Sequence, residues 1–305
     1  MQTTSQILMI RPVAFALNQQ TLASNAFQDA QTEQEEVQEK ALKEFDAFVE
    51  VLKANHIHIN VIQDTLEPHT PDAIFPNNWI SFHENGEIFL FPMLAENRRQ
   101  ERRADIIESL KKHYQVKTLT DLSFYEKEHK FLEGTGSMVL DRENKIAYAC
   151  LSARTHEDVL KEFCQRSGYE AIMFHAEDAK RIAIYHTNVM MCMATKFAIV
   201  CMDAVKDLKE QQIIKESLSK TGKLLIEISL AQMNQFAGNM LELQNTYGEH
   251  LLVMSRSAFK SLTSKQIQEI EQFVNILNVP LETIEKNGGG SARCMIAEVH
   301  LPSLS

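Results

Sequence analysis

The chain has 305 residues, 44% of them hydrophobic and 24% charged, which is ordinary for a globular protein with a large core. Its net charge of −10 argues against a duplex nucleic-acid binder, which needs a basic face to displace counterions. The five cysteines (Cys150, Cys164, Cys192, Cys201 and Cys294) are odd in number and irregularly spaced, so neither a disulfide framework nor a zinc site is expected.

The first residues, MQTTSQILMIRP, show no basic stretch followed by a long apolar one, and no signal peptide is expected. No apolar run is long enough to span a bilayer, so no membrane association is expected either. A reducing cytoplasm is the expected location. A homo-oligomer is compatible with the chain, and nothing in the sequence requires one.

Five stretches have helical periodicity. The first runs from about Gln31 to Asn55, with Val37, Leu42, Phe45, Phe48, Val49 and Leu52 on one face. The second follows Arg99 and buries Ile106, Ile107, Leu110 and Tyr114. The third starts at Thr155 as N-cap, with Asp158 three residues on, and stops at Gly168. The fourth covers about Asp203 to Gly222. The fifth starts at Thr263, where Gln266 completes a capping box, and carries Ile267, Ile270, Phe273, Val274 and Leu277.

Each helix is followed by a β-like run: Ile59–Gln63, Val116–Leu119, Ala171–His175, Leu224–Ser229 and Val279–Ile284. Others precede the helices: Ile7–Ile10, Glu87–Phe91, Ile146–Leu151, Phe197–Met202 and Leu251–Ser255. The spacing predicts a strand, strand, helix, strand unit that recurs five times. An ordinary open α/β sheet alternates in the same way. No glycine-rich nucleotide loop is present. No Pro/Gly/Ser-rich linker divides the chain, so residues 1–305 are expected to form one domain.

Four segments carry chemistry. Asn287-Gly288-Gly289-Gly290-Ser291-Ala292-Arg293-Cys294-Met295 places three of the ten glycines before a cysteine. Such a run lets backbone approach a ligand, and a neighbouring arginine favours a thiolate. Taken alone, a turn before a buried structural cysteine explains it equally. Phe131-Leu132-Glu133-Gly134-Thr135-Gly136-Ser137 sets a carboxylate at the entry to a strand, where an exposed hairpin acid is the simpler reading. Tyr185-His186-Thr187-Asn188 offers a histidine suited to acid–base work, although lone histidines are more often structural. Asp72-Ala73-Ile74-Phe75-Pro76-Asn77-Asn78-Trp79 holds the only tryptophan and two adjacent amides, which turns also favour.

Together these segments carry a resemblance. The ordered set MIRP, FPNNW, NRRQERR, LEGTGS, YHTN and GGGSARCM spans nearly the whole chain. It resembles the guanidino-modifying enzymes of pentein fold: arginine deiminases, dimethylargininases and amidinotransferases. The branch it resembles most is that of citrulline-utilisation hydrolases. The resemblance implies an α/β propeller of five ββαβ-type units around a pseudo-fivefold axis. It also implies Cys294 as nucleophile, His186 as general acid and base, and Glu133 as the carboxylate that contacts substrate nitrogens and orients the histidine. Arg98, or its neighbour Arg99, and Arg154 occupy positions of the family's clamps for the substrate α-carboxylate, and Gly289 lies in the substrate loop.

The chain departs from the family where deiminases carry acids, with Asn77, Asn78 and Asn188 in their place. A guanidinium has only donors, whereas a ureido group is neutral and presents a carbonyl acceptor. Amides offer both functions. A citrulline- or arginine-like amino acid is therefore the expected ligand, with the amides favouring a ureido group. No metal or other cofactor is expected, because no HExxH pattern occurs among the eleven histidines. The competing enzyme readings are a guanidino deiminase and an amidinotransferase. A non-catalytic pentein is the alternative of another class, and the joint presence of Cys294, His186 and Glu133 argues against it.

Overall fold

A computed structural model describes residues 1–22, 25, 27, 28 and 36–304. Its strands form five separate three-stranded sheets. The chain opens with β1 (Gln6–Arg11), α1 (Val37–Ala54) and β2 (His58–Gln63). The next unit is β3 (Ile80–Phe82), β4 (Glu87–Leu90), α2 (Ala104–Leu110) and β5 (Thr118–Asp121). A short turn of helix, α3 (Gly134–Ser137), leads into β6 (Val139–Asp141), β7 (Ile146–Cys150), α4 (Glu157–Ser167) and β8 (Glu170–Phe174). Another, α5 (Thr187–Met190), leads into β9 (Met191–Met193), β10 (Phe197–Val200), α6 (Leu208–Lys220) and β11 (Leu224–Glu227). The fourth complete unit has α7 (Leu230–Met233), β12 (Leu241–Gln244), β13 (His250–Ser255), α8 (Arg256–Ser261), α9 (Ser264–Glu271) and β14 (Asn275–Val279). Finally α10 (Glu282–Gly288) and β15 (Ala297–Glu298) return to the start, where β15 pairs antiparallel with β1.

Every sheet repeats one pattern. Its first strand is antiparallel to the middle strand, and the middle strand is parallel to the third across a helical crossover. In the sheet of β15, β1 and β2 the two ends of the chain supply the strands, which closes the ring. The middle strands are continuous apolar runs, such as Ile-Leu-Met-Ile in β1 and Phe-Ala-Ile-Val in β10, because both faces are covered. The third strands lie outermost and are partly exposed. The first strands are inner and almost wholly buried. Neighbouring inner strands touch, β15 against β3 and β9 against both β6 and β12. This is the five-unit propeller the motif order implies.

Several boundaries differ from expectation. The first helix begins at Val37, and residues 31–35 lie outside the described residues. Thr155 does not cap α4, because its backbone bridges to Leu132 and Ser152; the cap is His156, which accepts from the Asp158 N–H. Asp203 sits in a short 3-10 turn, and Asp207 caps α6 by accepting from the Lys209 and Glu210 N–H groups. The fifth helix has the expected Thr263–Gln266 capping box but ends at Glu271. Parallel pairing with β13 takes Asn275–Val279 into a strand, so Leu277 is a strand residue. The expected strand Val279–Ile284 is overturned. Pro280 has no N–H for the ladder, and the chain turns into α10 instead.

Candidate active site

The candidate side chains sit at one recurring place, the short segment that leads into an inner strand. Asn78 lies two residues before β3, Glu133 just before α3 and β6, His186 and Asn188 at α5 before β9, and Cys294 three residues before β15. Inner strands converge on the axis, so these four segments converge as well. Three of the lead-ins are short helical turns, Pro76–Asn78, Gly134–Ser137 and Thr187–Met190. A small, partly open pocket results, lined by Asp72, Asn78, Arg98, Arg154, Tyr185, His186, Gly289 and Cys294 among others.

Cys294 is 4% exposed, and its sulfur lies between two amides. Asn188 Nδ2 is 3.5 Å from Sγ and Asn239 Nδ2 is 3.2 Å away. The adjacent Arg293 does not face the sulfur as its sequence position suggests. Its guanidinium turns the other way, onto Glu298 at 2.6 Å and the Ile296 carbonyl at 2.8 Å.

His186 Nε2 lies 2.8 Å from Glu133 Oε2. A carboxylate only accepts, so Nε2 carries the proton and Nδ1 presents its lone pair. Glu133 is fully buried rather than an exposed hairpin acid, and its Oε1 accepts from the Leu94 N–H at 3.0 Å. Burial opposes its charge. Arg154, the His186 hydrogen bond and Arg98 outweigh burial and hold the carboxyl well below the usual range. Arg154 Nη1 reaches Glu133 Oε2 at 3.3 Å, and its guanidinium lies over the Tyr185 ring at 5.0 Å.

Asn77 and Asn78 lie in the 3-10 turn Pro76–Asn78, not on a strand. Only Asn78 lines the pocket; the Asn77 side chain is buried away from it. Asn78 Oδ1 accepts from Arg98 Nη1 at 2.9 Å. Arginine only donates, so this bond fixes the amide and leaves Nδ2 as the end without a partner among the described residues. Arg98 is held in turn by a bidentate pair with Glu101, at 2.8 and 2.9 Å. Arg99 points elsewhere, to the Met93 and Leu94 carbonyls, so Arg98 is the member of the pair that reaches the pocket. Gly289 closes α10 with φ of +65°, and its carbonyl accepts from the Tyr185 hydroxyl at 2.6 Å.

Among the described residues no group of three or more His, Cys, Asp and Glu side chains is arranged to hold a metal ion. No helix among them is long and apolar enough to cross a membrane.

Residues 11–301 match the family model described as N,N dimethylarginine dimethylhydrolase, eukaryotic. The chain belongs to that family. None of the curated proteins compared with it matches. Among solved structures, it superposes on the N-terminal domain of ArgZ bound to substrate, an arginine dihydrolase from the ornithine–ammonia cycle in Cyanobacteria, with TM-score 0.76 and 17% identity. That match covers 98% of this chain and 99% of the domain, whereas the chain spans 41% of full-length ArgZ. AgrE in complex with L-arginine gives TM-score 0.76 at 17% identity, covering 98% of this chain and 41% of AgrE. A dimethylarginine dimethylaminohydrolase carrying an S-methyl-L-thiocitrulline adduct gives TM-score 0.67 at 14% identity, covering 98% and 100%. At these identities the likeness establishes the pentein fold.

Two features of the site were not singled out in the sequence. Asp72 opens the FPNN segment; its Oδ2 accepts from Asn18 at 2.8 Å, and its Oδ1 has no partner among the described residues. Asn239 follows Gly238 in a segment with no other chemical signal, and that glycine was its only mark.

Burial pushes His186 down to about 4, and the Glu133 carboxylate restores only part of the loss. The folded chain therefore holds this ring neutral at neutral pH. The sign follows from proton counts. Between pH 6.5 and about 4 the unfolded histidine binds a proton that the folded one does not, so stability falls as pH falls through that window. The group's share reaches up to about 3 kcal/mol. Urea midpoints measured from pH 7 to pH 4 should fall more steeply for wild type than for His186→Asn. Parallel slopes would show that His186 is not held neutral.

Proposed function

We propose that the chain is a single-domain, cysteine-dependent hydrolase of the guanidino or ureido carbon in arginine- or citrulline-like amino acids, with a preference for the neutral ureido group. The observation that carries this reading is one pocket lined by Cys294, His186 and Asn78, with Glu133 behind it on His186 Nε2 and the Asn78 Nδ2 end without a partner among the described residues. In the proposed reaction Sγ attacks the planar carbon of the bound group while its proton passes to His186 Nδ1. That proton is handed to the departing nitrogen, which leaves as an amine or ammonia. His186 then takes a proton from water as it attacks the thioester-like carbon, and the sulfur departs. Glu133 keeps the ring in the tautomer this sequence of steps needs.

Asn78 supports the ureido preference. Its free end is a donor, which suits a carbonyl oxygen and the negative charge that develops there on attack. A guanidinium offers that donor nothing to bond. In this reading Arg154, and Arg98 through its second Nη1 hydrogen, take the α-carboxylate, and Asp72 Oδ1 takes the α-ammonium; all three residues line the pocket.

The test is a product assay with citrulline, arginine and methylated arginines, scoring ammonia, ornithine and citrulline separately, with and without an amine acceptor. Wild type should favour citrulline. Asn78→Asp should lower kcat/KM for citrulline by roughly one to two decades, because an unsatisfied polar group costs about 1–3 kcal/mol. The ratio should move toward arginine. Asn77→Asp should leave the ratio alone and lower stability instead, since it buries a charge away from the pocket. A wild type that prefers arginine, or an unchanged ratio in Asn78→Asp, removes the ureido reading.

A further inference from the structure

The loop that enters β12 brings a second amide to the cysteine sulfur. Asn239 is fully buried, and its side chain lies 2.9 Å from the Asn188 carbonyl oxygen. A carbonyl oxygen accepts only, so the atom there is Nδ2, which fixes the orientation of the amide. The same nitrogen lies 3.2 Å from Cys294 Sγ. One Nδ2 hydrogen meets the carbonyl and the other meets the sulfur.

The backbone around it is shaped for this approach. A Cβ on Gly238 would stand 2.3 Å from the Val189 carbonyl oxygen and 2.7 Å from the Met190 carbonyl carbon. Only glycine lets this loop lie against α5. Two residues earlier, Phe236 adopts φ of +61°, a left-handed conformation that a bulky residue rarely takes. Its carbonyl accepts from the Asn239 N–H at 2.9 Å. A strained residue and an obligatory glycine thus lead into the amide, which is the pattern of a loop held for function rather than for turning the chain.

We infer that Asn239 is a further catalytic residue, which donates an N–H to the Cys294 sulfur, holds it as a thiolate and fixes its direction of attack. This rests on the reading of Cys294 as nucleophile. The Asn239 and Asn188 amides flank the sulfur from consecutive units of the propeller, and each tethers it without adding charge. A neutral clamp leaves the pocket free of a second cation beside the substrate carbon. It also opposes rotation of the Cys294 side chain away from the pocket.

The experiment is alkylation of Cys294 by iodoacetamide across pH, followed by peptide mass, in full-length wild type, Asn239→Asp and Asn239→Leu. The other cysteines do not compete, because burial pushes Cys150 and Cys164 up to about 12 and Cys201 up to about 11, and raises Cys192 further. The midpoint of the alkylation profile should move up by about one unit in Asn239→Leu, and by more in Asn239→Asp, where a carboxylate faces the sulfur. kcat should fall roughly tenfold or more with little change in KM. Thermal melts report folding, and the isosteric Asp variant decides if the Leu variant does not fold. Folded variants with wild-type profiles would overturn the inference. The alkylation readout needs no substrate, so it stands apart from the hydrolase reading, which fails if Cys294→Ser still turns over.

Discussion

Cys294→Ser should lose at least about four decades of kcat while keeping the wild-type melting profile. A hydroxyl replaces the thiol at nearly the same volume and still accepts from Asn188 and Asn239, so the packing around position 294 is preserved. The chemistry is not. Serine lies far from the thiolate in acidity, and its one base, His186, is held in an acid-shifted state by burial. Cys294→Ala should lose activity to the same degree with a small loss of stability, because a buried sulfur in the cluster of Phe75, Ala292 and Ile296 is removed. Turnover should be insensitive to chelators in the wild type. A steady-state assay beside a thermal melt checks all three. Activity within tenfold of wild type in either variant would remove the covalent mechanism.

How much of this was readable from the chain depends on where each residue's partner lies. The five units were legible because apolar runs and helical periodicity are local signals, and the Thr263–Gln266 capping box was found from four residues alone. The end of that helix was not legible. Val274 and Leu277 continue the helical spacing, and only pairing with β13 turns the segment into a strand. The site divides in the same way. Cys294, His186 and Glu133 were marked by motifs, and the structure brings them to the same pocket or into contact with its wall.

Arg293 misled, because adjacency to Cys294 in sequence says nothing about which way two neighbouring side chains turn, and its partner Glu298 lies across the turn into β15. Asn77 and Asn78 are adjacent amides whose different surroundings the sequence does not show. They separate on a tight helical turn, and only Asn78 lines the pocket. Asn239 was invisible because its two partners, Asn188 and Cys294, lie 51 and 55 residues away.

Gly136→Ala should lower kcat/KM by at least about a hundredfold while the protein still folds. A Cβ at this position would stand 2.3 Å from Asn78 Nδ2, 2.8 Å from His186 Nδ1 and 2.9 Å from its Cε1. No real carbon tolerates these distances, so the two side chains must move. Neither moves cheaply. Asn78 is tied at Oδ1 to Arg98, which is tied to Glu101, and His186 is tied at Nε2 to Glu133. Relief to ordinary contact displaces both by about 1 Å, and a displacement of that size at a reacting group costs about two decades of rate. Overpacking of this kind lowers stability by about 1–3 kcal/mol, well short of unfolding a domain of this size. Two other glycines frame the comparison. At Gly168 a Cβ meets nothing within 4 Å, so Gly168→Ala should cost only the strain of its φ of +74° and leave kcat unchanged. At Gly134 the Cβ would stand 2.2 Å from the Asn77 carbonyl oxygen, a backbone atom, and φ is +48°, so Gly134→Ala should lose folded protein rather than activity per folded molecule. Specific activity corrected for folded fraction separates the three. A Gly136→Ala enzyme with wild-type kcat/KM would mean that His186 and the Asn78 amide do not have the proposed roles in the positions the structure gives them.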